Sequence, residues 1–302
     1  LGWGIIPEWE PTLAATAPKE SDIPDATLVL ATEVAALDHA TGSVYLMAIA
    51  WNLNGSADGV DGAYDRAIER LDAMTTQLAT PIAPAVLGTS DATPPQVRER
   101  TARADFESSV NAAKRSIEDG DAFQIVVSQR LDVSTSASGV DVYRVLRTVN
   151  PSPYMYFLDL PDERGGHFEV VGSSPETLVK SERRRVWTYP IAGSRPRGAD
   201  SAQDHRLAAE LLEDPKELSE HVMLVDLARN DLSKVCDPAS VEVSTLMELK
   251  RFSHIQHISS TVTGVLRPDA DALDALVATF PAGTLSGAPK PRAIQLIDDF
   301  EP

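Results

Sequence analysis

Two glutamates three residues apart, Glu217 and Glu220, sit in the segment Asp-Pro-Lys-Glu-Leu-Ser-Glu-His at residues 214–221. Asp214 has the chemistry of a helix N-cap, and Pro215 suits the first helical position. The apolar residues that follow (Val222, Met223, Leu224, Val225, Leu227) predict a largely buried helix. Residues i and i+3 share a helix face. Two carboxylates side by side there repel each other and resist desolvation. A bound cation removes that cost, and oxygen-only ligands favour Mg²⁺. The same spacing also fits a solvated first turn whose acids are favoured by the helix dipole.

Other segments hold reactive side chains in less specific settings. Gly-Ser-Ser-Pro-Glu at 172–176 ends a predicted strand, and its small residues admit a ligand close to the backbone. Glu176 becomes a general acid if burial raises its pKa; otherwise it is an exposed turn residue. The Pro- and Gly-rich stretch 190–198 reads as a loop. Its Arg195 and Arg197 either bind a substrate carboxylate or pair with nearby acids. His254 and His257 are read as strand residues at odd spacing, hence on opposite faces. A buried histidine beside a glutamate is an acid/base group, whereas a lone strand histidine is usually a hydrogen-bonded structural residue. Asp226–Leu232 is read as the polar end of the glutamate helix, capping it and holding the next turn. Thr-Leu-Ser-Gly-Ala-Pro-Lys at 284–290 precedes a last helix. Free amides at such an N-terminus, with Lys290 nearby, make an anion site or simply an ordinary capped loop.

These segments need a frame, and the pattern of the chain supplies one. Residues 27–37 and 43–51 read as a hairpin around Asp38–Gly42. Residues 60–79 have helical spacing, residues 80–96 form a Pro-rich linker, and a helix bearing Phe106, Val110, Ala113 and Ile117 ends at Gly120. Strands are expected at 123–133, 154–160, 168–172, 177–181, 186–190, 241–249 and 256–266. Helices are expected at about 140–149, 202–233, 271–280 and 290–299. Strands cluster without strict βαβ alternation, so the fold class is α+β with antiparallel sheets. The domain reading is 1–24 irregular, 25–96 a partial N-terminal region with its linker, and 97–302 a catalytic region.

Composition narrows the function classes. The chain has 302 residues, 43% of them hydrophobic, enough for a sizeable core. Its net charge of −18 repels nucleic acid and anionic membranes, so neither is an expected partner. An anionic substrate would need local positive groups or a metal. The one cysteine, Cys236, precludes an internal disulfide and fits a reducing, cytoplasmic setting. No apolar run approaches the roughly 20 residues that span a bilayer. No signal-peptide pattern is evident at the N-terminus.

Six segments, in order across about residues 105–302, resemble the chorismate-utilising enzymes, and among them most closely the anthranilate synthase component I type. They are Gly-Asp-Ala-Phe-Gln-Ile-Val-Val-Ser-Gln-Arg at 120–130, Gly-Ser-Ser-Pro-Glu at 172–176, and Pro-Ile-Ala-Gly-Ser-Arg-Pro-Arg-Gly at 190–198. The others are Lys-Glu-Leu-Ser-Glu-His at 216–221, Asp-Leu-Ala-Arg-Asn-Asp-Leu at 226–232, and the Thr284–Lys290 segment. The resemblance implies large antiparallel sheets packed as a sandwich with helices outside. It implies Mg²⁺-dependent addition of ammonia to chorismate, loss of the 4-hydroxyl and elimination of pyruvate, giving anthranilate for tryptophan synthesis. Glu220 would ligate Mg²⁺ directly and Glu217 through its water shell. Glu176 would protonate the leaving hydroxyl, and His257 would serve pyruvate elimination. Gln124, Ala192, Gly193, Ser194 and Lys290 would line the substrate site.

Two positions separate the sister reactions. A lysine at the position of Gln124 activates water in isochorismate and salicylate synthases, and a lysine at the position of Ala192 attacks the ring in aminodeoxychorismate synthase. Neither lysine is present here. Asn-Pro-Ser-Pro-Tyr-Met at 150–155 resembles the feedback segment for tryptophan, with Pro153, Tyr154 and Met155 against the indole. The implied partner is a glutamine amidotransferase subunit delivering ammonia within a hetero-oligomer. Relatives of this type continue past the residues matching 302, so a chain truncated at both ends, with an incomplete site, is the expectation. The rival readings are an aminodeoxychorismate-forming sister enzyme and a non-catalytic tryptophan-binding module.

Overall fold

A computed structural model describes residues 1–13, 22–52, 58–81, 95–252 and 254–301. Two compact units emerge: residues 1–26 with 93–302, and residues 27–92. The larger unit opens with α1 (Ile6–Trp9). The smaller unit holds β1 (Glu33–Asp38), β2 (Ser43–Ala48) and α2 (Asp58–Ala79). The larger unit then resumes with β3 (Val97–Glu99), α3 (Arg103–Glu118), β4 (Gln124–Ile125), β5 (Leu131–Val133), α4 (Gly139–Val149), β6 (Tyr154–Pro161) and β7 (His167–Ser174). Next come β8 (Lys180–Glu182), β9 (Arg185–Thr188), β10 (Ile191–Pro196), α5 (Ser201–Glu213) and α6 (Pro215–Ser233). The elements β11 (Glu242–Arg251), β12 (Ile255–Val265), α7 (Ala272–Thr279), β13 (Gly287–Ala288) and α8 (Lys290–Phe300) complete it.

In the smaller unit, the expected hairpin forms with shorter strands. Asp38 accepts hydrogen bonds from the amides of Ala40 and Thr41, and Gly42 takes the left-handed conformation that closes the turn. Most of the linker read at 80–96 lies outside the described residues.

The larger unit is built on an antiparallel sheet in the order β10-β12-β9-β8, with β11 also paired to β12. The ladders β3–β5, β6–β7 and β13–β4 accompany it, again antiparallel. The α+β class read from the sequence is therefore the class observed. Strand β12 is central, and its Gln256, Ile258, Ser260 and Val262 are buried. Helix α6 lies on this sheet: His221 Nε2 and Ser260 Oγ are 2.6 Å apart, and Val225 and Leu232 join Val186, Cys236, Val262 and Ala275 in one core cluster. Each such buried aliphatic side chain contributes about 1.5–3 kcal/mol.

Local chemistry fixes where α6 begins. The residue before a proline is driven out of the helical region, and Asp214 has φ −75° and ψ 110°. Its carboxylate accepts from the amides of Lys216 and Glu217, so the expected long helix over 202–233 is two helices that meet at Asp214.

Three other expectations are corrected. The continuous strand read at 123–133 is two short strands, because residues 126–130 leave the ladder after β4. The stretch 190–198, read as a loop from its Pro and Gly content, contains strand β10 paired with β12. His254 lies in the bend before β12, so only His257 is a strand residue. Residues 1–13, left unassigned in the sequence, carry two short helical turns, and Ile6 and Leu13 bury against Ile294 of α8.

Candidate active site

Helix α6 presents Glu217 in its first turn and Glu220 one turn on, both partly buried. Their surroundings differ. Glu217 accepts from Arg195 Nη1 at 3.0 Å, and Arg195 Nη2 reaches Asp214 at 2.8 Å. One guanidinium thus bridges the helix cap and the first glutamate. Glu220 faces an open cavity of about 730 Å³ shared with Phe123, Gln124, Met223 and Pro289. Its bond is to a neutral group, Gln124 Nε2 at 3.2 Å.

Gln124 is placed by β4, which pairs with β13 so that Gln124 lies opposite Ala288. Its Oε1 is buried with no hydrogen-bond partner. An unpaired buried acceptor beside a carboxylate is costly and marks a place for a cation or a donor. Glu220 and Gln124 together offer oxygen donors only, which suits Mg²⁺. Among the described residues, no group of three or more His, Cys, Asp or Glu side chains converges as a complete metal cage.

Strand β10 carries the next cluster. A bulge falls between Ala192 and Ser194, and Gly193 takes φ +77° there. A Cβ on Gly193 would sit 3.2 Å from Glu217 Oε2 and 3.3 Å from Ile258 and Leu211. Glycine is required both by its backbone conformation and by this close approach. Ala192 is buried, and Ser194 lies opposite His257. Burial lowers the His257 pKa below its usual 6.5, against a smaller opposing effect of the Gly193 backbone. Alternation along β12 sends Gln256, Ile258 and Ser260 toward α5 and α6, and His257 to the other face beside Phe252, with ring centroids 5.8 Å apart.

Glu176 follows β7 and is partly buried. Burial raises its pKa above the usual 4.5, opposed by the hydroxyl of Thr284, which donates to Oε2 at 3.1 Å. Burial thus favours the protonated form, from which a carboxyl can give up a proton. Thr284 was not singled out in the sequence; its place in the Thr284–Lys290 segment was the available signal. Among the described residues, no hydrogen bond or ion pair links Glu176 or His257 to the α6 glutamates. The site residues therefore form three neighbourhoods: Glu220 with Gln124, Glu217 with the β10 bulge, and Glu176 with Thr284.

Three sequence readings are refined. Lys290, read as a substrate-binding cation, is only 5% exposed. Its Nζ donates to Asp231 at 2.6 Å and to the Thr279 carbonyl at 2.8 Å, so its charge is spent inside the fold. Asp231, read as part of a helix cap, is the buried counter-ion, also reached by Lys234 at 3.2 Å. Likewise Arg195 and Arg197 pair with protein acids: Arg197 makes two bonds to Asp204, at 2.8 and 2.9 Å. Pro153 and Tyr154 line a cavity of about 610 Å³ with Lys180, Tyr189, Lys250 and Phe252. Met155 alternates to the other face of β6, opposite Ser173.

The sequence profile of the chorismate binding enzyme family matches residues 2–302, and the chain belongs to that family. Among its relatives are two proteins named anthranilate synthase component 1. One, from Arthrobacter globiformis, is 48% identical over 307 residues, covering 100% of this chain and 57% of the relative. The other, from Mycolicibacterium smegmatis, is 51% identical over 280 residues, covering 92% of this chain and 53% of the relative. The crystal structure of anthranilate synthase component I from Streptococcus pneumoniae superposes with a TM-score of 0.74 at 36% identity, covering 89% of this chain and 57% of that one. The chain thus spans a little over half the length of the relatives it matches.

Proposed function

We propose that this chain carries the chorismate-binding half of an anthranilate synthase large component. The whole reaction joins chorismate and ammonia and releases anthranilate, pyruvate and water. The observation that carries the reading is the pairing of Glu220 with Gln124 on the open cavity. An oxygen-donor site there has an amide where a water-activating sister enzyme would need a lysine.

Mg²⁺, when bound, would neutralise the ring carboxylate of chorismate and fix its orientation. Glu220 would hold the ion, and its neighbour Gln124 would help to orient that carboxylate. The Ser194 hydroxyl and amides of the β10 bulge would hold the carboxylate's remaining oxygens. Glu176, whose protonated form burial favours, would give its proton to the departing 4-hydroxyl as ammonia adds at the carbon next to the carboxylate. His257, neutral because burial disfavours its charged form, would take a proton as pyruvate leaves. Ala192 offers no nucleophile, so a covalent ring–enzyme adduct is disfavoured.

Ammonia would come from a glutamine amidotransferase subunit in a hetero-oligomer. The two relatives named component 1 fit a protein of more than one component. Tryptophan would act as feedback inhibitor in the cavity of Pro153 and Tyr154, where Tyr189 and Phe252 offer flat surfaces to an indole. Met155, facing away, would contribute through the packing of β6. A cytoplasmic location fits the single buried cysteine. Among the described residues, no helix is long and apolar enough to cross a membrane.

The test is incubation with chorismate, Mg²⁺ and an ammonium salt, followed by anthranilate fluorescence. The chain is assayed alone and joined to the C-terminal remainder of the Arthrobacter relative. Anthranilate from the joined protein supports the reading. Tryptophan binding with no aromatic product from either protein would instead support a regulatory module.

A further inference from the structure

Lys290 reaches in two directions at once. Its Nζ donates to the carbonyl of Thr279, the last residue of α7, at 2.8 Å, and to Asp231 on α6 at 2.6 Å. One side chain thus ties together the two ends of the segment 279–290 and pins both to α6. The Lys290 and Asp231 side chains are closed in, 6% and 7% exposed, so the bonds between them are complete within this chain. Between its ends the segment touches two of the three neighbourhoods. Thr284 donates to Glu176 at 3.1 Å. Further on, the Ser286 and Ala288 carbonyls accept from the amides of Val126 and Phe123, at 2.9 and 2.7 Å, and Ala288 lies opposite Gln124.

We infer that Lys290, through Asp231 and the Thr279 carbonyl, is a positioning residue that clasps the segment 279–290 and so fixes Glu176 relative to Gln124. The inference rests on the proposed reaction for the work of those two side chains, and on the bonds above for the clasp. A buried ion pair is a poor source of stability, because apolar residues of similar volume often serve as well or better. What apolar packing lacks is direction. An ammonium that donates to a carboxylate and a carbonyl fixes both acceptors in space, since each bond weakens steeply with misalignment. The segment carries contacts to both neighbourhoods, so slack at its ends moves Thr284 and β13 together. Proton transfer from Glu176 tolerates little displacement: an error on the order of 1 Å costs as much as about 10²-fold in rate.

The experiment replaces the pair by apolar residues. Lys290→Met combined with Asp231→Leu leaves neither charge buried alone, so its melting temperature stays near the parent's and above that of Lys290→Met. In the chain by itself, hydrogen exchange at the Phe123 and Val126 amides then quickens by about tenfold or more, while the β12 amides exchange as before. In the protein joined to the remainder of its relative, kcat per folded molecule falls by about 10–10²-fold. In a Glu176→Gln background the same replacement costs much less, because the proton it would misplace is already absent. A parent-like melting temperature with parent-like exchange and kcat would overturn the inference, since the pair would then serve the core alone. A fall in kcat that is equally large in the Glu176→Gln background would overturn it too. Should the apolar pair fail to fold by circular dichroism, Asp231→Asn decides the matter, because its amide oxygen still accepts from Nζ but without the charge that strengthens the bond. Faster exchange at Phe123 and Val126 in that variant supports the clasp, and unchanged exchange overturns it. If no joined protein forms anthranilate, the proposed reaction fails, and exchange alone still decides whether Lys290 holds the segment.

Discussion

Glu176 and Glu220 have the same side chain and different settings, and the roles proposed for them rest on that difference. Glu176 is desolvated and bonded to a hydroxyl that a neutral amide can also satisfy. Glu176→Gln should therefore keep the Thr284 contact and the fold but lose the proton. We expect kcat of the joined enzyme to fall by about 10²–10⁴-fold with thermal stability nearly unchanged, checked by anthranilate fluorescence beside a melting curve. His257 has its pKa lowered from 6.5, so its neutral form prevails at pH 7. The rate should fall on acidification through a value below 6.5, and the pH profile of His257→Gln should lack that limb. Lys290 shows what the sequence conceals. Its neighbours in the chain made it look like an anion ligand, but its partner, Asp231, is 59 residues away. Pairing at that distance leaves no local signature. Lys290→Met leaves Asp231 buried with only the half-exposed Lys234, and should cost about 3–5 kcal/mol in urea unfolding.

Elements with regular periodicity were legible. Helices α2, α3, α4, α7 and α8 follow from apolar spacing and caps, and the α6 start follows from Asp214 and Pro215. Strand β10 was hidden because Pro190, Gly193, Pro196 and Gly198 carry the composition of a loop. Its pairing is imposed by β12, and its glycine serves a bulge. Gly193→Ala would force a left-handed alanine against Glu217, Leu211 and Ile258. It should cost about 1–3 kcal/mol and disturb the Arg195 fork. The turn after β10 is held by Asp204, which accepts from Arg197 and from the Gly198 amide. The Arg197 bond, then the Gly198 amide, hold its pKa at about 2, below the usual 3.8. A carboxylate with a lowered folded pKa stabilises above its unfolded pKa, and this contribution fades as pH falls from about 4 toward 2. Asp204→Asn should flatten the acid-unfolding curve in that window, read by circular dichroism.

At the scale of the molecule, the N-terminal residues belong with the last helix. Ile6 and Leu13 pack on Ile294, and Trp3 donates to Asp298 at 3.0 Å. The irregular sequence of this segment gave no period from which to read that docking. Ile6→Ala should cost about 2–5 kcal/mol although it lies far from the site in sequence, as chemical denaturation would show. The net charge of −18 surrounds a site proposed for an anionic substrate. The cation proposed at Glu220 would reconcile the two, since Lys290, Arg195 and Arg197 are paired with buried or half-buried acids. The measurement that tests this account most directly is mass analysis of the aromatic product formed from chorismate, Mg²⁺ and ¹⁵N-ammonium by the chain joined to the remainder of its relative. The account predicts anthranilate carrying one ¹⁵N, lost when Glu220 is replaced by glutamine. Isochorismate, aminodeoxychorismate, or turnover indifferent to Glu220 would contradict it.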